Sequence, residues 1–149
     1  MAIARGAGTE ILRSIFLETV DSTVSSLIFG VQHHIYTVLS IIVQVQAIQA
    51  AGNKLYIYLN GYDSKAGTTG RYFNILEHGM HAGETFVFND KFSFNGAEPA
   101  NFTGPMDDAT KQDAIADQGQ NTAQILRIKT EHADDNVDVI CTFIDQNNA

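Results

Sequence analysis

A chain of 149 residues has the length of one domain, enough to bury about 68–70% of its unfolded surface in a single core. Its net charge of −8 is unevenly placed, residues 1–75 carrying +1 and residues 76–149 carrying −9, and an acidic half repels phosphate backbones, which argues against a nucleic-acid partner. One cysteine excludes an intrachain disulfide, and the longest apolar run, broken by Ser40, Gln44 and Gln46, is too short for a spanning helix of about 20 residues.

Residues 1–10 (MAIARGAGTE) show no periodicity and no apolar core of a secretory signal. They read as a flexible arm that orders on docking, with Met1, Ala2, Ile3, Ala4 and Arg5 as interface candidates. From residue 9 to Val20, Ile11, Ile15 and Leu17 alternate with Leu12 and Phe16, the pattern of a strand, with a helix as the alternative. Asp21-Ser22-Thr23 has turn chemistry, and residues 26–31 (SLIFGV) form a short strand.

The central strand is HIYTVLSIIVQVQAIQ, residues 34–49. Its β-branched side chains are stiff and fit a pleated surface. Period two places Ile35, Thr37, Leu39, Ile41, Val43, Val45 and Ala47 on one face. After the tight Ala50-Ala51-Gly52-Asn53 connection, KLYIYLNGY is expected to pair antiparallel with it. That strand aims Leu55, Ile57 and Leu59 one way and Tyr56, Tyr58 and Tyr62 the other. Tyrosines on a face turned away from the core mark an interface, where Tyr is enriched; the alternative is a sheet that uses both faces as core.

A polar loop (DSKAGTTG) and a strand over residues 71–77 follow. Residues 84–94 put Phe86, Phe88, Phe92 and Phe94 on one face, with Asn89-Asp90-Lys91 interrupting as a bulge or bend. Residues 95–121 hold Pro99, Pro105 and four aspartates, a loop insertion with room for a short helix capped by Asp107 or Asp108. Residues 122–132 and 137–145 close the chain as a hairpin, whose alternation buries Cys141 beside Val137, Val139 and Phe143.

Seven to eight strands joined by short turns imply an all-β, single-domain antiparallel β-sandwich of jelly-roll type over residues 11–149. No catalytic signature is present: there is no G-x-S-x-G, no H-E-x-x-H and no phosphate loop with its Lys-Ser/Thr, so no enzyme is expected and no cofactor. His78 and His81, with Glu77 and Glu84, lie in a glycine-broken turn and read as solvated turn residues, not as metal ligands. Asp134, Asp135, Asn136 and Asp138 lack the glycine and terminal Glu of a calcium loop and read as a turn. No metal site is assigned.

The order of segments over residues 36–144 resembles a small β-sandwich of tailed-bacteriophage virion proteins. The resemblance is carried by Tyr36-Thr37-Val38-Leu39-Ser40-Ile41, by KLYIYL, by Ala82-Gly83-Glu84-Thr85 opening the phenylalanine strand, and by LRIKTEHADDNVDVICTFI. It implies a non-enzymatic virion structural protein, assembled in the host cytoplasm. Within that class it implies a capsid decoration (cement) protein, a homotrimer bound to the major capsid protein on the outside of the head. The alternatives are a tail, neck or fibre component, or a carbohydrate-binding β-sandwich.

Overall fold

The computed structural model describes residues 9–31, 34–63, 68–96 and 123–147. They form nine strands: β1 (Thr9–Val20), β2 (Ser25–Phe29), β3 (His34–Ala47), β4 (Lys54–Asp63), β5 (Thr68–Gly79), β6 (Thr85–Phe88), β7 (Phe92–Asn95), β8 (Ile125–Thr130) and β9 (Asn136–Asn147). Among the described residues there is no helix. The expected helical turn, capped by Asp107 or Asp108 within the 95–121 insertion, lies outside them.

All pairings are antiparallel. One sheet runs β1-β9-β3, with β6 and β7 laid end to end along the far side of β3; the other runs β2-β8-β4-β5. With β6 and β7 counted as one strand interrupted at Asn89-Asp90-Lys91, the chain deals strands to the two sheets in jelly-roll order. The sandwich expected from the sequence is thus the observed fold, and the interruption falls where the three polar residues stand.

The core lies between the sheets. Val137, Val139, Cys141 and Phe143 of β9 face Leu55 and Ile57 of β4 and Leu126 and Ile128 of β8, all essentially inaccessible. Burial pushes the Cys141 thiol up to about 12, since a thiolate in an apolar layer is unsolvated. The folded chain is therefore expected to resist an aromatic disulfide reagent at pH 8 and to release one reactive thiol on denaturation, readable by absorbance; rapid reaction of the native protein would contradict the packing.

Three expectations need correction. First, β4 does not pair with β3. Both edges of β3 are occupied, one by β9 along its whole length and the other by β6 and β7, so β4 pairs with β5 and β8 in the opposite sheet. Residues 48–53 are a corner that crosses the gap of about 10 Å between sheets. Its backbone is tied by Gly52 N–H to Met80 O (3.0 Å) and Met80 N–H to Asn53 O (2.9 Å).

Second, β8 and β9 are not a hairpin. Residues 131–135 form another sheet-switching corner, and Asp135 lashes the two corners together. Its carboxylate accepts from Gln49 N–H (2.8 Å), His132 N–H (2.9 Å) and Asn53 Nδ2 (3.3 Å). Burial alone would raise this carboxyl, but the donated N–H groups outweigh it and hold it below the ordinary value. The unfolded chain takes up its proton first as pH falls, so this stabilisation is complete above the ordinary carboxylate range, near pH 4, and fades below it. Asp135→Ala is expected to cost about 3 kcal/mol at pH 7. The gap to the unsubstituted chain should narrow in urea titrations repeated below pH 4; a gap that does not change with pH would refute the assignment.

Third, β3 does not keep one phase. The register with β9 slips between Val38 and Ser40, so Tyr36 and Val38 point inward before Leu39, and Ile41, Val43 and Val45 after it. Ile35, which period two places on one face with Ile41, Val43 and Val45, is 38% exposed. A bulge inserts one residue and reverses the alternation beyond it.

Candidate functional site

Two outer faces stand apart from the core, one on each sheet. On the second sheet, alternation along β4, β5 and β8 sends every other side chain outward, and register aligns them in rows. Tyr56 lies opposite Lys129 and Glu77; Tyr58 lies opposite Arg127 and Asn74; Asn60 lies opposite Ile125 and Tyr72. The result is a basin of about 640 Å³, lined chiefly by Tyr56, Tyr58, Tyr72, Asn74, Arg127 and Lys129.

The basin is preorganised. Tyr58 is buried and meets Tyr72 edge-to-face at 5.6 Å, while Tyr72 is 66% exposed and offers its ring to solvent. Lys129 Nζ sits 5.7 Å from the Tyr56 ring centre and 5.9 Å from that of Tyr58. Those distances are within cation–π range. Among the described residues neither Arg127 nor Lys129 has a carboxylate partner, and Arg127 Nε and Asn60 Oδ1 are buried without a hydrogen bond. The acids nearby are engaged by Lys54: its Nζ holds Glu77 at 2.6 Å and its backbone N–H donates to Glu131 at 2.8 Å.

On the first sheet the outer face is apolar. Phe16, Ile140, Ile42 and Val87 form one cross-strand row through β1, β9, β3 and β6, and Leu12 lies beside Ile144 in a second. Between the rows Ser14 bonds Thr142 (3.2 Å), and the second row continues through Thr37, which bonds Ser93 (3.0 Å). Leu12, Phe16 and Val87 are more than half exposed. Across β1, β9 and β3 nothing charged stands between Glu10 at one end and Asp138 at the other.

The sequence-derived candidates separate accordingly. Tyr56 and Tyr58 are brought together, facing outward. Tyr62 is the penultimate residue of β4, but its side chain lies outside the described residues, as do Met1, Ala2, Ile3, Ala4 and Arg5. Tyr72, Asn74, Arg127 and Lys129 were not singled out by the sequence, although Arg127 and Lys129 alternate with the buried Leu126 and Ile128. His78 serves structure, bonding Glu84 (2.9 Å) and packing its tilted ring against Phe86 with centroids 4.1 Å apart, and among the described residues no three metal-ligating side chains gather.

No protein-family model and no curated protein sequence matches the chain. Among solved structures it is similar to a protein of Bacillus endospore appendages, described as disulfide-linked pili, at 13% identity over 100% of this chain and 97% of that one, with a TM-score of 0.45. It is also similar to chains of infectious bursal disease virus. A Gx-strain chain matches at 14% identity over 91% of this chain and 31% of that one, TM-score 0.39. A chain of the T13 particle matches at 11% over 99% and 37%, TM-score 0.38. This chain thus spans about a third of those viral chains. With every TM-score below 0.5, these likenesses carry no argument about function.

Proposed function

We propose that this chain is a non-enzymatic structural subunit that works by assembly, and specifically a capsid decoration protein on the outside of a tailed-phage head, in contact with the major capsid protein and with copies of itself as a homotrimer. The observation that carries the assembly reading is the uncharged outer face of the first sheet, where Phe16, Ile140, Ile42 and Val87 stand in one row. Four strands at about 4.8 Å and five residues at about 3.3 Å give a patch on the order of 300 Å². An exposed face of that size, apolar but for its hydroxyls, falls at the low end of the roughly 300–600 Å² span of the largest apolar patch on a monomer, and such patches are often functional. For a chain of net charge −8, an uncharged face is also where contact with another acidic surface meets least repulsion.

The head assignment draws on the segment resemblance, and residues 1–8 supply an arm for tethering to a neighbour, by adding a strand to an open sheet edge. Many shallow contacts of this kind gain strength through avidity. The test is quantitative mass spectrometry of purified particles. A copy number equal to the major capsid protein, or a simple fraction of it such as one third, supports decoration. A few copies per hundred capsid subunits would move the protein to the tail, neck or fibre, and absence from particles would overturn the virion role.

A further inference from the structure

We propose that the basin on the outer face of the second sheet binds an acidic carbohydrate, a sugar bearing a carboxylate. The site lies on the face opposite the apolar patch, so it does not depend on the particle role.

Three observations converge. The first is charge: in a chain of net −8, Arg127 and Lys129 emerge side by side from β8 without carboxylate partners among the described residues, while the Lys54 ammonium pairs with Glu77 and Glu131 accepts the Lys54 backbone N–H. A carboxylate can take a charge-assisted bond from each cation, and guanidinium geometry suits it. The second is enclosure: Arg127 and Lys129 line one concavity with Tyr56, Tyr58 and Tyr72, so a ligand bound there meets both cations and the rings together. The third is the aromatic floor. Tyr72 exposes its ring, Tyr58 props it edge-on, and the electron-rich faces attract the polarised C–H bonds of a sugar ring.

The chemistry of the lining favours a sugar over an acidic peptide. Val24 is the one aliphatic lining residue, so there is no pocket for an apolar side chain, whereas Ser22 and Asn74 offer hydroxyl and amide partners for sugar hydroxyls. A volume of about 640 Å³ lies inside the roughly 300–1,000 Å³ span of small-ligand sites. Glu131 also lines the basin, and its repulsion directs the carboxylate toward the Arg127 end.

The experiment is a calorimetric titration of the full chain with three probes: trigalacturonate, its neutral methyl ester, and a glutamate tripeptide. The expected result is binding of trigalacturonate, weakened by added salt, with the ester at least about tenfold weaker. Tyr72→Ala and Lys129→Gln should each weaken binding about tenfold, while Leu12→Ser on the opposite sheet should not change it. Tyr72 is exposed enough that its replacement tests the site even if Lys129→Gln disturbs folding, which a circular dichroism melt would reveal. No binding of trigalacturonate, or equal binding of acid and ester, would overturn the proposal. So would indifference to Tyr72→Ala. If the glutamate peptide bound as tightly as the sugar, the basin would read charge alone and belong to an acidic protein partner.

Discussion

Replacing Gly30 by alanine is expected to lower stability by about 3–4 kcal/mol, a fall of roughly 10 °C in melting temperature. The cause is proximity, since Gly30 and Gly96 sit where three strand ends meet. Gly30 N–H donates to Gln124 O (2.8 Å), Gln124 N–H to Gly96 O (2.9 Å), and Gly96 N–H to His34 O (2.8 Å). Gln124 Nε2 adds bonds to Asn95 O (2.8 Å) and Asn95 Oδ1 (2.5 Å). A Cβ built on Gly30 overlaps the carbonyl oxygens of Gly96 and Gln124, which are backbone and cannot swing aside. Relief would require breaking the ladder that joins β2, β7 and β8. Gly52→Ala is the contrasting case: at φ +87° with nothing within 4 Å it meets strain without collision, and about 1–2 kcal/mol is expected. Urea titrations of both variants decide the matter; a Gly30→Ala loss no larger than that of Gly52→Ala would show that the junction yields.

What the sequence makes legible here is local, and what it hides is pairing. The β-branched density of residues 34–49 marks β3, and alternation marks β9, because those signals arise from residues one and two apart. A corner that switches sheets, however, uses the same Gly, Asn and Asp as a hairpin turn. Gly52 and Asp135 therefore resemble hairpin chemistry while carrying the chain from one sheet to the other. The bulge at Leu39 is equally silent, since an apolar residue on either face fits the composition. The same division holds for the basin. Tyr56 and Tyr58 declare themselves by alternation within one strand, but Tyr72 and Lys129 join them only through cross-strand register, which no spacing along the chain records. On the apolar face the signal was present, in adjacent pairs such as Ile15-Phe16, Ile41-Ile42 and Val139-Ile140, where strands carry apolar residues on both sides.

The double substitution Phe16→Glu and Val87→Glu is expected to leave the domain folded and to reduce occupancy on particles about a hundredfold or more. Both residues are 55% exposed and lie at opposite ends of the same row, on β1 and β6 at the margins of the first sheet. Surface changes at such positions cost the isolated fold little, so a melting temperature within about 5 °C of the unsubstituted chain is expected. In an assembled face the two carboxylates would be buried without partners, at several kcal/mol for the pair, and every 1.4 kcal/mol removes a factor of ten in binding. Salt separates this contact from an electrostatic tether: an apolar and hydroxyl face should hold or tighten as ionic strength rises, whereas attachment through the proposed tether at Arg5 should loosen. Tyr72→Ala, on the other sheet, serves as the control and should attach normally. Full occupancy by the folded double variant would place the assembly surface elsewhere and leave the apolar row of Phe16, Ile140, Ile42 and Val87 without a partner in the particle.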